Sequence, residues 1–256
     1  MVGYVQKRMP RLIIFGVVAL ALGGGYLAYQ WGTHSPRFAI SEFSLSGNEQ
    51  LQQEDIRTLL ALPANANIFR TDVGSLEARL TESPWIQSAV ISRQLPSGLA
   101  IKLKEEKAVA AVSLGGLYLL NEEGELFKRA SISGGELDGL CIITGIGREA
   151  LAKNPERSQQ QLLGALHALM QFQKNTERPR IGEVHLDEYQ GISFVTFERA
   201  IAIHLGSPTR EELADRFGAF DAAWQALDPQ EHAAARSFRI SDRSPSDQVT
   251  VAFAGN

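Results

Sequence analysis

Residues 12–36 contain no Asp, Glu, Lys or Arg, and that stretch constrains the chain more than any other feature in it. Its first 20 residues, LIIFGVVALALGGGYLAYQW, open at Leu12 and close at Trp31. At ~1.5 Å of rise per residue, a helix of that length reaches about 30 Å, the thickness of a bilayer's hydrocarbon core. Tyr26, Tyr29 and Trp31 end the run, and such amphipathic rings favour the membrane–water interface. Lys7, Arg8 and Arg11 precede it without an acid, and only Arg37 follows closely. The positive-inside rule therefore expects residues 1–11 in the cytoplasm, a transmembrane helix over 12–31, and everything after a linker at 32–37 outside. In a bacterium that means the periplasm. A cleaved signal peptide competes for the same pattern, but its apolar core is about 7–15 residues and ends in a small-x-small site. Here the run continues to Trp31 with no A-x-A-like site after it, which favours an uncleaved anchor. Gly23, Gly24 and Gly25 do not form a G-x-x-x-G and read as tolerated in a lipid-facing helix.

Beyond residue 11 the chain holds 22 cations against 29 anions, a net −7, so nucleic acid is a poor partner. One cysteine, Cys141, excludes an internal disulfide and any zinc site built from several thiolates. A mean hydropathy of −0.10 excludes a multi-span membrane protein.

Two folded units are expected after the anchor. FAISEFSL (38–45) alternates as a strand, and Gly47-Asn48 breaks it. A short helix follows on Leu51, Ile56, Leu59 and Leu60, and Pro63 ends it. A second runs from Asp72 through Leu76 and Leu80 to Pro84. Residues 85–93 and 99–106 read as strands joined by the Pro96-Ser97-Gly98 turn. The second unit shows strands near 108–113, 116–120, 125–129 and 140–144, and a glycine-rich loop at 133–135. A helix over 156–174 presents Leu162, Leu166, Leu169, Met170 and Phe172 as a core stripe. Strands near 181–186, 192–197 and 201–205 precede a helix over 210–227 that buries Leu213, Phe217, Phe220 and Trp224. Strands near 237–240 and 248–253 close the chain. The class is α+β: one N-terminal transmembrane helix, a β-α-α-β-β unit, then a mixed, largely antiparallel β unit with flanking helices.

Enzymatic motifs are weak. Gly145-Ile146-Gly147-Arg148-Glu149-Ala150 fits G-x-G-x-x-A, but no strand ending in an acid follows about 20 residues on, so the glycines read as a strand-to-helix turn. His34, His167, His185, His204 and His232 are scattered. His185 and His204 could meet on neighbouring strands, but two imidazoles without a third ligand make a poor metal site. There is no G-x-S-x-G, H-E-x-x-H or P-loop. No catalytic group, cofactor, metal or small-molecule substrate is expected.

The ordered segments resemble one family. FSLSGNEQL (43–51), ANIFRTDVGSLEARLTESPWIQSAVISRQLPSGLAIKLKEEKAVA (66–110), YLLNEEGELF (118–127) and IAIHLGSPTREELADRF (201–217) are similar to segments of the FtsQ/DivIB family of bacterial division proteins. The likeness spans about 12–253. Ala108 stands where that family has a proline and Asn121 where it has an aspartate; Arg243 aligns with its C-terminal arginine, while Ser241 and Ser244 replace the aspartate and tyrosine around it. Ser207 follows Leu205-Gly206 where the family often has a basic residue. The resemblance implies a POTRA domain at 38–107 and the family's β domain at 108–256. It also implies a non-enzymatic single-pass scaffold of the inner membrane, enriched at the division septum and linking early and late division proteins. Its implied partners are FtsB-like and FtsL-like proteins at the C-terminal strand and an FtsK-like protein at the POTRA domain.

The residues suit that role. If Gln248, Val249, Thr250, Val251, Ala252 and Phe253 form a strand at a sheet edge, its unpaired N–H and C=O groups template another strand. Val249, Val251 and Phe253 would face a core, Thr250 and Ala252 outward. Arg243, just before it, is placed to clamp a carboxylate on the incoming segment. The competing expectation is a membrane-anchored POTRA-type envelope chaperone or secretion component. It is disfavoured because no series of alternating segments of about 10 residues with aromatic girdles follows the first unit.

Overall fold

Residues 9–240 and 248–254 are described by this computed structural model, and they divide into two compact units, Met1–Glu105 and Glu106–Asn256. The first begins with helix α1 (Met9–His34). Ile14, Phe15, Val17, Val18, Leu20, Leu22 and Leu27 are exposed around it, so it is apolar on every side and long enough to cross a membrane. It runs three residues past Trp31. A 3₁₀ turn (Pro36–Phe38) follows, then β1 (Glu42–Ser46), α2 (Gln53–Leu60), α3 (Val73–Thr81), β2 (Ile86–Gln94) and β3 (Gly98–Glu105). The sheet order is β1-β3-β2, with β1 parallel to β3 and β2 antiparallel to it.

Local chemistry sets these boundaries. Asp55 accepts the Gln52 N–H at 2.9 Å at the start of α2, and Ala61 ends that helix in the left-handed region at φ +43°. Asp72 caps α3, accepting the Gly74 N–H at 3.1 Å and the Ser75 hydroxyl at 2.6 Å. Gly47, at φ +80°, is required: a Cβ there would lie 2.1 Å from the Leu103 carbonyl oxygen. Ile56, Leu60, Ile68, Leu76 and Leu80 bury one face against Ile86, Ile91, Leu99, Ile101 and Leu103. The first strand starts at Glu42 rather than Phe38. Phe38 lies in the 3₁₀ turn instead, edge-on to Trp31 and Phe69, an aromatic contact that alternation does not reveal.

The second unit carries β4 (Ala110–Ser113), β5 (Leu117–Leu120), β6 (Leu126–Arg129), β7 (Cys141–Thr144), α4 (Arg148–Lys153), α5 (Pro155–Gln173), β8 (Ile181–Asp187), β9 (Gly191–Thr196), β10 (Ala202–Gly206), α6 (Glu212–Ala226), α7 (Pro229–Ala234), β11 (Ala235–Ile240) and β12 (Val249–Phe253). They form one nine-stranded sheet in the order β12-β11-β10-β9-β8-β7-β4-β5-β6. Five neighbouring pairs are antiparallel and three parallel. Two parallel pairs, β7–β8 and β10–β11, are joined through helices, since a parallel return needs a crossover. Where the sequence suggests a glycine-rich loop at 133–135, a short 3₁₀ turn (Ile132–Gly134) forms. Asn121 donates to the buried Glu106 carboxylate at 3.0 Å, where an aspartate would set two carboxylates face to face.

One row of the sheet builds the core. Ile143, Val184, Phe194, Ile203, Phe238 and Val251 are in register across six strands. Leu162, Leu166, Leu169 and Phe172 of α5 and Leu213, Phe217 and Phe220 of α6 belong to the same core. Phe172 is central, its ring 5.3, 5.4 and 5.5 Å from those of Phe194, Phe217 and Phe220. Arg178 ties the two helices, donating twice to Asp221 at 2.7 and 2.8 Å and once to the Phe172 carbonyl at 2.9 Å. Met170, expected in the α5 stripe, is 53% exposed. At 3.6 residues per turn it sits about 120° from the centre of the buried set.

Phe172→Ala should lower stability by about 3–5 kcal/mol through the cavity it leaves, whereas Met170→Ala should shift it by no more than about 0.5 kcal/mol. Urea unfolding of the detergent-solubilised chain, followed by tryptophan fluorescence, measures both.

Candidate functional site: the terminal strand and the open face of the sheet

Five of the residues expected to bind a partner, Val249 to Phe253, form β12, which ends the sheet order and pairs only with β11 among the described residues. Ile240, Arg239, Phe238, Ser237 and Ala235 face Val249, Thr250, Val251, Ala252 and Phe253, with a register shift between Ala235 and Ser237. Val249 and Val251 are half-buried and pack on the core, while Thr250 and Ala252 are exposed. Phe253 departs from the expected alternation. It lies beyond the register shift and is 43% exposed. Gln248 is exposed immediately before the strand. Arg243, with Ser241 and Ser244, lies outside the described residues.

The sheet face away from α5 and α6 carries a polar row. Thr144, His185, Ser193, His204, Arg239 and Thr250 are in register from β7 to β12. Thr144 donates to Glu183 at 2.6 Å and so accepts from His185 Nδ1 at 2.8 Å. Ser193 bonds His204 Nδ1 at 2.9 Å. His185 and His204 flank the strand of Ser193 rather than adjoining each other, and both Nδ1 atoms are engaged. No group of three His, Cys, Asp or Glu that could hold a metal occurs among the described residues. Burial, and then the charge of Arg239, pushes the His204 imidazole below its ordinary pKa. Burial, helped by Glu183, pushes the Cys141 thiol up to about 12, which leaves it unreactive at neutral pH.

Gly145 and Gly147 make the turn from β7 into the six-residue α4. Gly145, at φ +93°, sits so close to β8 that a Cβ would lie 1.8 Å from the Leu186 carbonyl oxygen. The adjoining cavity of about 480 Å³ is lined by Asp187 and Glu188 as well as Lys153 and Arg157. Asp187 holds the Tyr189 and Gln190 N–H groups at 2.8 and 2.7 Å, which keeps its carboxyl below the usual range and ionised. The two cations and two carboxylates of that lining offset one another, and it is the close approach of β8 that requires Gly145, so these glycines serve chain geometry.

A β-α-α-β-β unit of POTRA type, preceded by an apolar helix and followed by a helix-backed mixed sheet with a terminal edge strand, defines the class of this molecule. Comparison with known proteins narrows it. The family model for the FtsQ-type POTRA domain matches residues 38–106, and that for the FtsQ/DivIB C-terminal region matches 108–241. The chain is 32% identical to the cell division protein FtsQ of Myxococcus fulvus over 202 residues, 76% of this chain and 69% of the relative. It is 32% identical to FtsQ of an Anaeromyxobacter species over 257 residues, 98% of this chain and 85% of the relative. A Geobacter FtsQ is 29% identical over 75% of this chain and 72% of its own. This chain belongs to the FtsQ/DivIB family of cell division proteins.

A depressed His204 pKa means that the unfolded chain takes up a proton the folded chain resists. The associated stability is complete above about pH 6.5 and is lost as pH falls below it. An NMR titration should place the His204 midpoint below 6.5, and Arg239→Gln should move it upward.

Proposed function

We infer that this chain is a non-enzymatic scaffold of the division machinery, anchored by α1 in the bacterial inner membrane and enriched at the septum. Residues 1–11 are cytoplasmic; the POTRA domain at 38–107 and the β domain at 108–256 are periplasmic. Residues 248–253 pair with an FtsB-like protein within an FtsB/FtsL-like subcomplex, and the POTRA domain meets an FtsK-like protein, linking early and late components.

The observation that carries this reading is the position of β12. It is ordered by β11 on one side and by Val249 and Val251 beneath, and no strand of the described residues occupies its outer side. An incoming segment therefore gains backbone hydrogen bonds without having to order the strand that receives it. Arg243, just upstream, supplies a fork of donors for a carboxylate on that segment. Membership of a cell division family supports a partner from the same machinery.

Arg243→Glu in the full chain should weaken co-purification with the FtsB-like partner by roughly 30-fold or more, the loss expected when one member of a buried charge pair is removed. A truncation after Ser244 should abolish it. Binding unchanged in both variants would remove the strand-pairing assignment. Depleting the protein should give filaments with unseparated cells; normal division with an outer-membrane assembly defect would overturn the division role itself.

A further inference from the structure

The end of the anchor helix is stitched to the first unit. The Asn67 side-chain amide donates to the Gly32 carbonyl at 3.0 Å. Trp31 meets Phe38 edge-on at 5.6 Å, and Phe38 meets Phe69 at 4.9 Å. The Phe69 ring lies 3.8 Å from where a Cβ on Gly32 would stand. The Ile68 N–H donates to the Phe38 carbonyl at 2.8 Å, and Ala39 bridges to Asn67. Thr33 is buried by these contacts. Loop 61–71 is therefore held against the last turn of α1.

That contact fixes the height of the loop relative to a bilayer. Tyr26, Tyr29 and Trp31 mark the interfacial end of the apolar span, and residues 32–34 lie within about 5 Å of Trp31 along the helix axis. The loop thus stands at the level of lipid head groups. A cleft of about 600 Å³ opens there, lined among others by Thr33, His34, Asn67, Arg70 and Arg79. Arg70 is exposed; its N–H donates to the Asn67 carbonyl at 3.1 Å, while its guanidinium has no ion pair or hydrogen bond among the described residues. Arg79 gives one N–H to the Leu60 carbonyl, and Arg93 props the loop from below through the Ile68 and Thr71 carbonyls at 2.8 Å each. Asp72 is the acid of this lining, and its carboxylate is committed to the Gly74 and Ser75 donors at the start of α3. Phe69, 44% exposed, adds an apolar face beside Trp31, 59% exposed. Arginine next to two exposed aromatic rings at this height suits a surface that is apolar below and anionic above.

We propose that this cleft seats the head group of an anionic phospholipid from the leaflet in which α1 ends. Arg70 holds the phosphate and Phe69 enters the interface, so the lipid sets the orientation of the POTRA domain on the membrane. The proposal rests on α1 being a membrane anchor and takes nothing from the pairing of β12.

The test reconstitutes the full chain into nanodiscs of phosphatidylcholine with 30% phosphatidylglycerol, releases it, and counts retained lipids by native mass spectrometry. The wild type should retain phosphatidylglycerol in preference to phosphatidylcholine. Arg70→Gln, at an exposed side chain without partners among the described residues, should cut that preference about fivefold, the worth of one basic residue at an anionic surface. Arg199→Gln, on an exposed turn of the second unit, should leave it unchanged. A preference that survives Arg70→Gln overturns the site. Displacement of the lipid by tens of millimolar inorganic phosphate overturns the lipid in favour of a free-anion site. A chain that fails to enter nanodiscs overturns the anchor reading, an outcome distinct from the other two.

Discussion

A strand that belongs to a core on one face and, among the described residues, to no other strand along one edge is the constraint from which the second unit's architecture takes its meaning. β12 is five residues long, and only Val249 and Val251 pack inward. Its remaining support is β11, which is itself sandwiched between β10 and β12 and contributes the buried Phe238 and Ile240. Short edge strands of this kind limit indiscriminate pairing because they offer few backbone groups. The same brevity makes them adequate docking templates once a side-chain contact outside the ladder adds selectivity.

Behind that edge, rigidity comes from the packing of α5 and α6 on the sheet. Phe172 touches the sheet through Phe194 and the neighbouring helix through Phe217 and Phe220. Arg178 stacks over Phe172 and Phe217 at 4.9 and 5.1 Å while pairing with Asp221, so one side chain joins charge, ring face and helix end. One of those aromatics, Phe220, carries the ring contacts on through Trp224 and Phe238 to β11. Displacing any of them would loosen the support of the last two strands.

Much of this was legible in the sequence, and the misses have physical causes. The uncharged run and the two amphipathic patterns in each unit depend on local periodicity, so they could be read residue by residue. α7 is too short to show a periodicity, but its signature is local: Asp228 accepts from the Gln230 and Glu231 N–H groups, Glu231 reaches back to the Asp228 N–H, and Pro229 takes the first helical position. The aromatic contacts of the half-buried Phe38 and the polar row from Thr144 to Thr250 are not legible in that way. Both are made by contacts between segments far apart in sequence, and a single-residue slip in any register would dissolve the row. Arg243, the cation expected to meet a partner, lies outside the described residues, whereas Arg239 on β11 stands in the row and no local pattern in the sequence marks it.

That row bears on what kind of neighbour the edge can take. A tenth strand beside β12 would extend two opposite faces at once. On one, the line of Ile143, Val184, Phe194, Ile203, Phe238 and Val251 asks for an apolar residue next to Val251. On the other, the line ending in Arg239 and Thr250 favours a polar residue or an acid, because an apolar one would lie among hydroxyls, imidazole and guanidinium. The sheet therefore specifies an alternating neighbour, apolar toward the helices and polar away from them. A uniformly apolar segment satisfies only half of that pattern, so backbone pairing alone does not make every exposed strand a suitable partner.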